Sequence, residues 1–511
     1  MSQLGAPPTP PPYSPPTLPP PSRPQSSDIP GWVVVTAAAL AFAVAGMLAF
    51  VVVNGRAGTP AAAPARAQHH YPRHWNHKIA PLARIAQKQR GLTFKHPIAV
   101  RFLSPTAYRK SMRKDDGDGG SSTRKDRRQI AEETGFLRAL GLIGGNVDLR
   151  RAFDDTEAAG TAAYYSFKTR SITIRGRRLT PEVKDTIVHE LTHGLQDQNF
   201  QVGARMAALD KQTGRDSSAG EILDAVVEGD AVRMQDAYRD SLPVRQRRAL
   251  DREANRESAQ ADHGLAHVPA IVVSMFTSPY ALGPGLVGAA AQLGGNAGVD
   301  RLLRHTPAHE IALLDPFQAL SGRTGATLAF PAVPSGDKRF DRGEFGALGW
   351  DWLLSERLPL RQALSAADGW GADSYVAYDR GGRSCTRIDF RGRTASDTAT
   401  MDTALHQWAA AAPGAPALVT RRGGVLQLQS CDPGGDFRTG PDHSMAALHL
   451  AATRTGLGIG LVRLGLQSGV ATCLAGRLVD DYPASDLNDP SYGVDNPAFQ
   501  EHVHELELSC E

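Results

Sequence analysis

The sequence carries almost no excess charge: Lys+Arg 56 stand against Asp+Glu 53, a net of +3. It has no long basic stripe with interleaved aromatics, so no nucleic-acid partner is expected. It has no internal repeat. Cysteine is scarce, and Cys385, Cys431, Cys473 and Cys510 all fall in the last quarter of the chain. An even number so confined predicts two disulfides in an exported domain, in preference to buried free thiols. Long charge-free runs are lacking too, with two exceptions. Gly31 to Val53 is 23 residues long without a charge. That exceeds the roughly 20 residues needed to cross a bilayer and predicts a transmembrane helix. It reads as an uncleaved anchor, because a signal peptide has a shorter apolar core, roughly 7–15 residues, closely preceded by positive charge. The second run, Val268 to Val299, contains Pro269, Pro279, Pro284 and many glycines. It predicts short buried helices and no second span.

At 511 residues the chain exceeds one ordinary domain, and 41% hydrophobic content suffices for a proper core. Residues 1–30 hold twelve of the 35 prolines, including Pro10-Pro11-Pro12 and Pro19-Pro20-Pro21. Such a segment favours polyproline II, cannot bury a core and is expected to be a disordered tail, or a docking site for a proline-reading partner. The span 31–53 follows, then an Ala/Pro-rich linker, 54–75. Arg56, Arg66 and Arg73 after the span against Arg23 before it would place the large domain inside, yet long domains cross membranes largely regardless of flanking charge. The cysteines favour an extracytoplasmic domain on a single-pass anchor.

The remainder reads as α+β and mostly helical, with a main domain at 76–373 and a smaller α+β lobe at 374–511. A helix is expected from about Asn76 to Gln89, a strand over Pro97 to Leu103 and a mobile surface loop from Lys114 to Arg128. Ala162 to Ser166 and Ser171 to Arg175 form a hairpin around Phe167-Lys168-Thr169-Arg170. Thr180 is the N-cap of the next helix, with Pro181 at its first position and Glu182 and Asp185 in its first turns. Val183, Ile187, Val188, Leu191 and Leu195 give that helix an inward face. A further helix runs from Ala219 to about Tyr238, buried through Ile222, Leu223, Val226, Val227 and Val232. In the lobe, Cys385 to Phe390 and Val425 to Leu428 are β-favouring.

Chemistry concentrates in His189-Glu190-Leu191-Thr192-His193. Residues four apart share a helix face, so both imidazoles can reach one metal ion, and the carboxylate between them can act as general base. A zinc site of this class needs a third protein ligand. The HExxHxxGxxH option is excluded, since Gln196 replaces the glycine and Asn199 the last histidine. Glu228 fits best as an acid within an apolar helix, where an unpaired carboxylate is costly. A buried salt bridge is its structural alternative, and Glu221 and Asp224 are weaker ligand candidates. Asp197 and Asp224 are candidates to accept the imidazoles' other N–H. An oxyanion-stabilising donor is open among Tyr164, Tyr165, Tyr238 and His309.

In these residues the chain resembles a group of uncharacterised bacterial membrane-anchored proteins with a gluzincin-like metallopeptidase core. The similarity spans roughly residues 76–410. It is carried by Arg90-Gly91-Leu92-Thr93-Phe94, Ala163-Tyr164-Tyr165, the block His189 to Gln198, Glu228-Gly229-Asp230-Ala231, His309-Glu310-Ile311 and Gly369-Trp370-Gly371-Ala372-Asp373. The resemblance implies a zinc-dependent peptidase with His189, His193 and Glu228 as ligands and Glu190 as base. Two departures stand out. Better-known gluzincins place the glutamate closer than the 34 residues that intervene here, and they often carry aspartate where this chain has Val232. The expected reaction is hydrolysis of a peptide or protein substrate by a zinc-activated water, with Glu190 passing the proton to the leaving amine. The strand Ser171 to Arg175 is expected to pair with an extended substrate. The alternative is a catalytically inactive zinc-binding, or metal-free, cell-envelope scaffold.

Overall fold

The computed structural model describes residues 71–115, 124–158, 162–209, 211, 217–322, 325–412, 417–440, 442–489, 492–493 and 496–511. The proline-rich tail, the apolar run 31–53 and the linker up to residue 70 lie outside the described residues. The rest is mixed α+β, mostly helical, with two small sheets.

The helix bearing the histidines runs from Pro181 to Phe200. The Thr180 hydroxyl accepts the Val183 amide at 3.3 Å, satisfying one orphan donor of the first turn. Its apolar face is buried as expected, but so are nearly all its polar residues from Thr186 to Asp197. Helices Ala80–Arg90, Ala219–Ser241 and Val244–Leu265 and the first sheet enclose it from several sides. Every buried polar side chain on it therefore needs a partner inside the protein.

The first sheet joins β1 (Ala99–Leu103), β2 (Ala163–Ser166) and β3 (Ser171–Arg175) in the order β1-β3-β2. β3 pairs in parallel with β1 and antiparallel with β2. The expected hairpin is present, but Ser171–Arg175 is the central strand, so it has no free edge for a substrate. The edge on the hairpin side is β2. The bonds Arg175 N to Ala162 O and Arg170 N to Ser166 O turn residues 162, 164 and 166 toward β3. The backbone groups of Ala163 and Tyr165 consequently face outward.

Two other expectations change. Helices Pro105–Asp115 and Arg124–Ala139 occupy both ends of the segment read as a loop, and only 116–123 lies outside the described residues. The charges at its C-terminal end sit on a solvated helix face, where Arg128 pairs with Glu132 at 2.7 Å. The charge-free run lies in Ala270–Arg304, a long helix and a short one joined across a kink at Gly294 and Gly295. Pro279 does not end the long helix. The carbonyl of Met275, which loses its amide partner, accepts the Ser278 hydroxyl at 3.0 Å.

The second sheet is antiparallel, in the order β4-β5-β6-β8-β7, built from β4 (Lys338–Gly343), β5 (Trp370–Arg380), β6 (Arg383–Gly392), β7 (Ala417–Arg422) and β8 (Val425–Cys431). Cys385 and Cys431 lie opposite each other on β6 and β8 and are bonded. Cys473 and Cys510 tie helix Ser468–Asp481 to the last helix, Pro497–Cys510. β5 runs through the 373/374 boundary, and one hydrophobic core extends on both sides of it, from Leu137 to Val479. Among the described residues two helices are long and apolar enough to cross a membrane, Ala270–Arg304 and Ser444–Arg463; 72% of the first one's apolar stretch is buried inside the protein.

Candidate metal centre

His189 and His193 stand one turn apart on the Pro181–Phe200 helix, and Glu228 comes from Ala219–Ser241 packed against it. The three side chains converge: one ligand atom from each lies within 4.8 Å of the others. His189 Nε2 is 3.0 Å from Glu228 Oε2, and His193 Nε2 is 3.4 Å from the same oxygen. Donors about 2.0–2.1 Å from a tetrahedral ion stand roughly 3.3 Å apart, close to both imidazole–carboxylate separations. All three are buried, at 0%, 4% and 8% exposure. The donor set, two imidazoles and one carboxylate, leaves a fourth position free. The weaker candidates Glu221 and Asp224 are outside this triad.

The electrostatics follow from the same proximity. Burial acts to raise the Glu228 carboxyl, but the two imidazoles outweigh it and hold the group well below the usual carboxylate range. Burial disfavours a charged His193, yet Glu228 and Glu190 push it up to about 9. Without metal the triad is thus a hydrogen-bonded ion pair, and a cation entering it displaces a proton.

Glu190, next to His189 on the same helix, accepts the Tyr165 amide at 2.6 Å. Burial, opposed by the neighbouring imidazoles, moves its carboxyl up to about 7. Glu190 therefore caps the outward edge of β2 at Tyr165. Tyr165 also locks the hairpin to the helix through its hydroxyl, which donates to Asp197 at 3.1 Å.

The expected supports differ from those found. Asp197 accepts Tyr165 and the Gly203 amide, and Asp224 lies near Tyr280. The imidazoles instead meet glutamines: His189 Nδ1 is 3.3 Å from Gln235 Oε1, and His193 Nδ1 is 3.1 Å from Gln196 Oε1. Of the four donor candidates, Tyr164 gives its hydroxyl to Ser111 and Tyr165 to Asp197, while Tyr238 packs in the core behind the motif helix. His309 is held by Glu344 at 2.5 Å beside Trp370, in a separate polar knot. There Asp373 accepts both the Trp350 and Trp370 indoles at 2.8 Å.

The residue that the sequence reading missed is Tyr280. Its ring stacks on His189 with centroids 6.3 Å apart. Burial, and then Glu228, Asp224 and Glu190, keep its hydroxyl protonated well above the usual phenol range. Tyr280 sits in the charge-free run, where the only sequence signal was a lone tyrosine between two prolines. Comparison with models of known families, with curated proteins and with solved structures finds no match to this chain.

Proposed function

We propose that this chain is a zinc-dependent peptidase with a gluzincin-like core, tethered to a membrane through residues 31–53 with its large domain outside the cytoplasm. The observation that carries the reading is the convergence of His189, His193 and Glu228 beside a buried glutamate, Glu190, that is fixed by the Tyr165 amide. Zinc bound there supplies a polarised carbonyl and a water of lowered pKa. The peptide substrate is placed with its scissile bond beside Glu190, whose carboxylate holds the Tyr165 amide of β2. Glu190 takes the proton of the attacking water and returns it to the leaving amine. The neutral hydroxyl of Tyr280, hydrogen-bonded to Glu228 in the metal-free site, is the donor for the developing oxyanion once Glu228 turns to the metal. Two disulfides support an oxidising compartment.

The test is metal analysis of the purified full-length protein together with a Glu190→Gln variant assayed on a broad peptide library. The reading expects about one zinc per chain in both proteins and hydrolysis in the wild type alone. A wild type that holds zinc and cleaves nothing favours a scaffold. A wild type without zinc ends the enzyme reading.

A further inference from the structure

Beyond each imidazole of the triad the same three residue types recur in the same order. Behind His189, the Gln235 amide nitrogen donates to Asp185 Oδ2 at 2.7 Å, and that oxygen also accepts Arg239 Nε at 2.9 Å and Nη2 at 2.7 Å. Behind His193, the Gln196 amide nitrogen donates to Val227 O at 2.9 Å and to Asp230 Oδ2 at 3.1 Å, the oxygen that accepts Arg90 Nε at 2.7 Å. All six of these residues are buried.

A carboxylate paired with arginine can only accept hydrogen bonds. Each aspartate therefore forces the –NH₂ of its glutamine toward itself and the amide oxygen toward the histidine. An amide oxygen accepts only, so the facing Nδ1 must carry a proton; once a metal displaces the proton that Nε2 shares with Glu228, the lone pair of the neutral ring is left on Nε2. The two halves reach this state through different contacts. Asp185 lies one turn before His189 on the same helix, whereas Asp230 comes from the Glu228 helix.

We propose that Gln196 and Gln235, each oriented by a buried aspartate–arginine pair, are positioning residues that hold His193 and His189 as Nδ1–H tautomers with both Nε2 lone pairs directed at one metal ion. The proposal rests on the metal-centre reading and deepens it. It also sets the charge of the site. A carboxylate hydrogen-bonded directly to a ligand imidazole makes that ligand more basic. Here a neutral amide stands between; Asp185 is balanced by Arg239, and Asp230 by Arg233 and by Arg90, which it shares with Asp300. The imidazoles therefore donate less to the ion, which keeps it more electrophilic.

The experiment uses the full-length protein labelled with ¹⁵N at histidine, loaded with zinc, as wild type, Gln235→Met and Gln196→Met. Methionine nearly preserves volume but cannot accept the N–H as an amide does. The wild type should show two exchange-protected Nδ1–H protons on rings metallated at Nε2. Gln235→Met should lose protection at His189 alone and Gln196→Met at His193 alone. Each should weaken zinc binding about 10–100-fold in a chelator competition. A purely packing role predicts lower thermal stability with both protected protons and the zinc affinity intact, and that result overturns the proposal. Should either variant fail to fold, the wild-type spectrum still decides: zinc bound through Nδ1, or Nδ1 without a protected proton, refutes the relay. A wild type that binds no zinc removes the metal centre itself, a failure separable from the others by stoichiometry.

Discussion

Gly229 and Gly283 meet backbone to backbone where helices Ala219–Ser241 and Ala270–Arg304 cross. A Cβ on Gly229 would lie 2.3 Å from the Gly283 carbonyl carbon, and one on Gly283 would lie 1.9 Å from the Ala225 oxygen. No side chain can swing aside to relieve either contact. The crossing follows Glu228 by one residue and Tyr280 by one turn, so it is what brings that hydroxyl toward that carboxylate.

Substituting alanine at either glycine is expected to destabilise the domain by about 1–3 kcal/mol, the ordinary cost of overpacking, or by more because backbone must move. Thermal denaturation with and without zinc measures it. The metal-dependent increment should shrink as well, since Glu228 is displaced with its helix. An unchanged melting temperature in Gly283→Ala would contradict the close crossing.

Tyr280→Phe keeps the ring on His189 and removes only the hydroxyl. Loss of one oxyanion donor typically lowers kcat by about 10²–10³. Zinc stoichiometry and KM should change little, because the interaction belongs to the transition state. If kcat is untouched while zinc binding falls, Tyr280 acts on Glu228 and not on the reacting carbonyl.

Metal removal is expected to lower stability. A ligand present at 100 times its dissociation constant adds about 2.7 kcal/mol to the folded state. A chelator should therefore reduce the melting temperature, and zinc should restore it. In Glu228→Ala the protein should melt at the same temperature with or without zinc. A zinc-dependent shift surviving in that variant would remove Glu228 from the ligand set.

Glu356 offers a pH test far from the metal centre along the chain. Burial, reinforced by Asp442, moves its carboxyl from 4.5 up to about 8, while the His443 amide opposes the shift. Between those values the folded chain keeps a proton that the unfolded chain has lost, so stability falls as pH rises. This contribution is complete below about pH 4.5 and gone above about pH 8. Glu356→Gln imitates the protonated group. It should match the wild type near pH 4.5 in denaturant unfolding and exceed it at pH 8. Equal stability at both pH values would show that Glu356 does not hold its proton.

Much of the site was legible because its signals are local. The His189–His193 spacing, the Thr180-Pro181 cap and the hairpin turn each depend on neighbours in sequence. Glu228 was legible for another reason, since an acid in an apolar helix stands out against its surroundings. The pairing of β1 with β3 joins residues more than seventy positions apart, and only that pairing makes β2 the edge. Pro279 was read as a break because its repair by Ser278 depends on a hydroxyl rotamer.

The sequence by itself determined the candidate metal ligands: two imidazoles one turn apart, a carboxylate between them, and an acid placed where it needs a partner. Only the tertiary structure decided what surrounds that chemistry. Tyr280, the glutamines behind the histidines and the strand edge beside Glu190 reach the site through helix crossings and strand pairings between distant segments. Such contacts are selected by shape, close backbone approach and the satisfaction of buried polar groups, and none of these leaves a periodic trace along the chain.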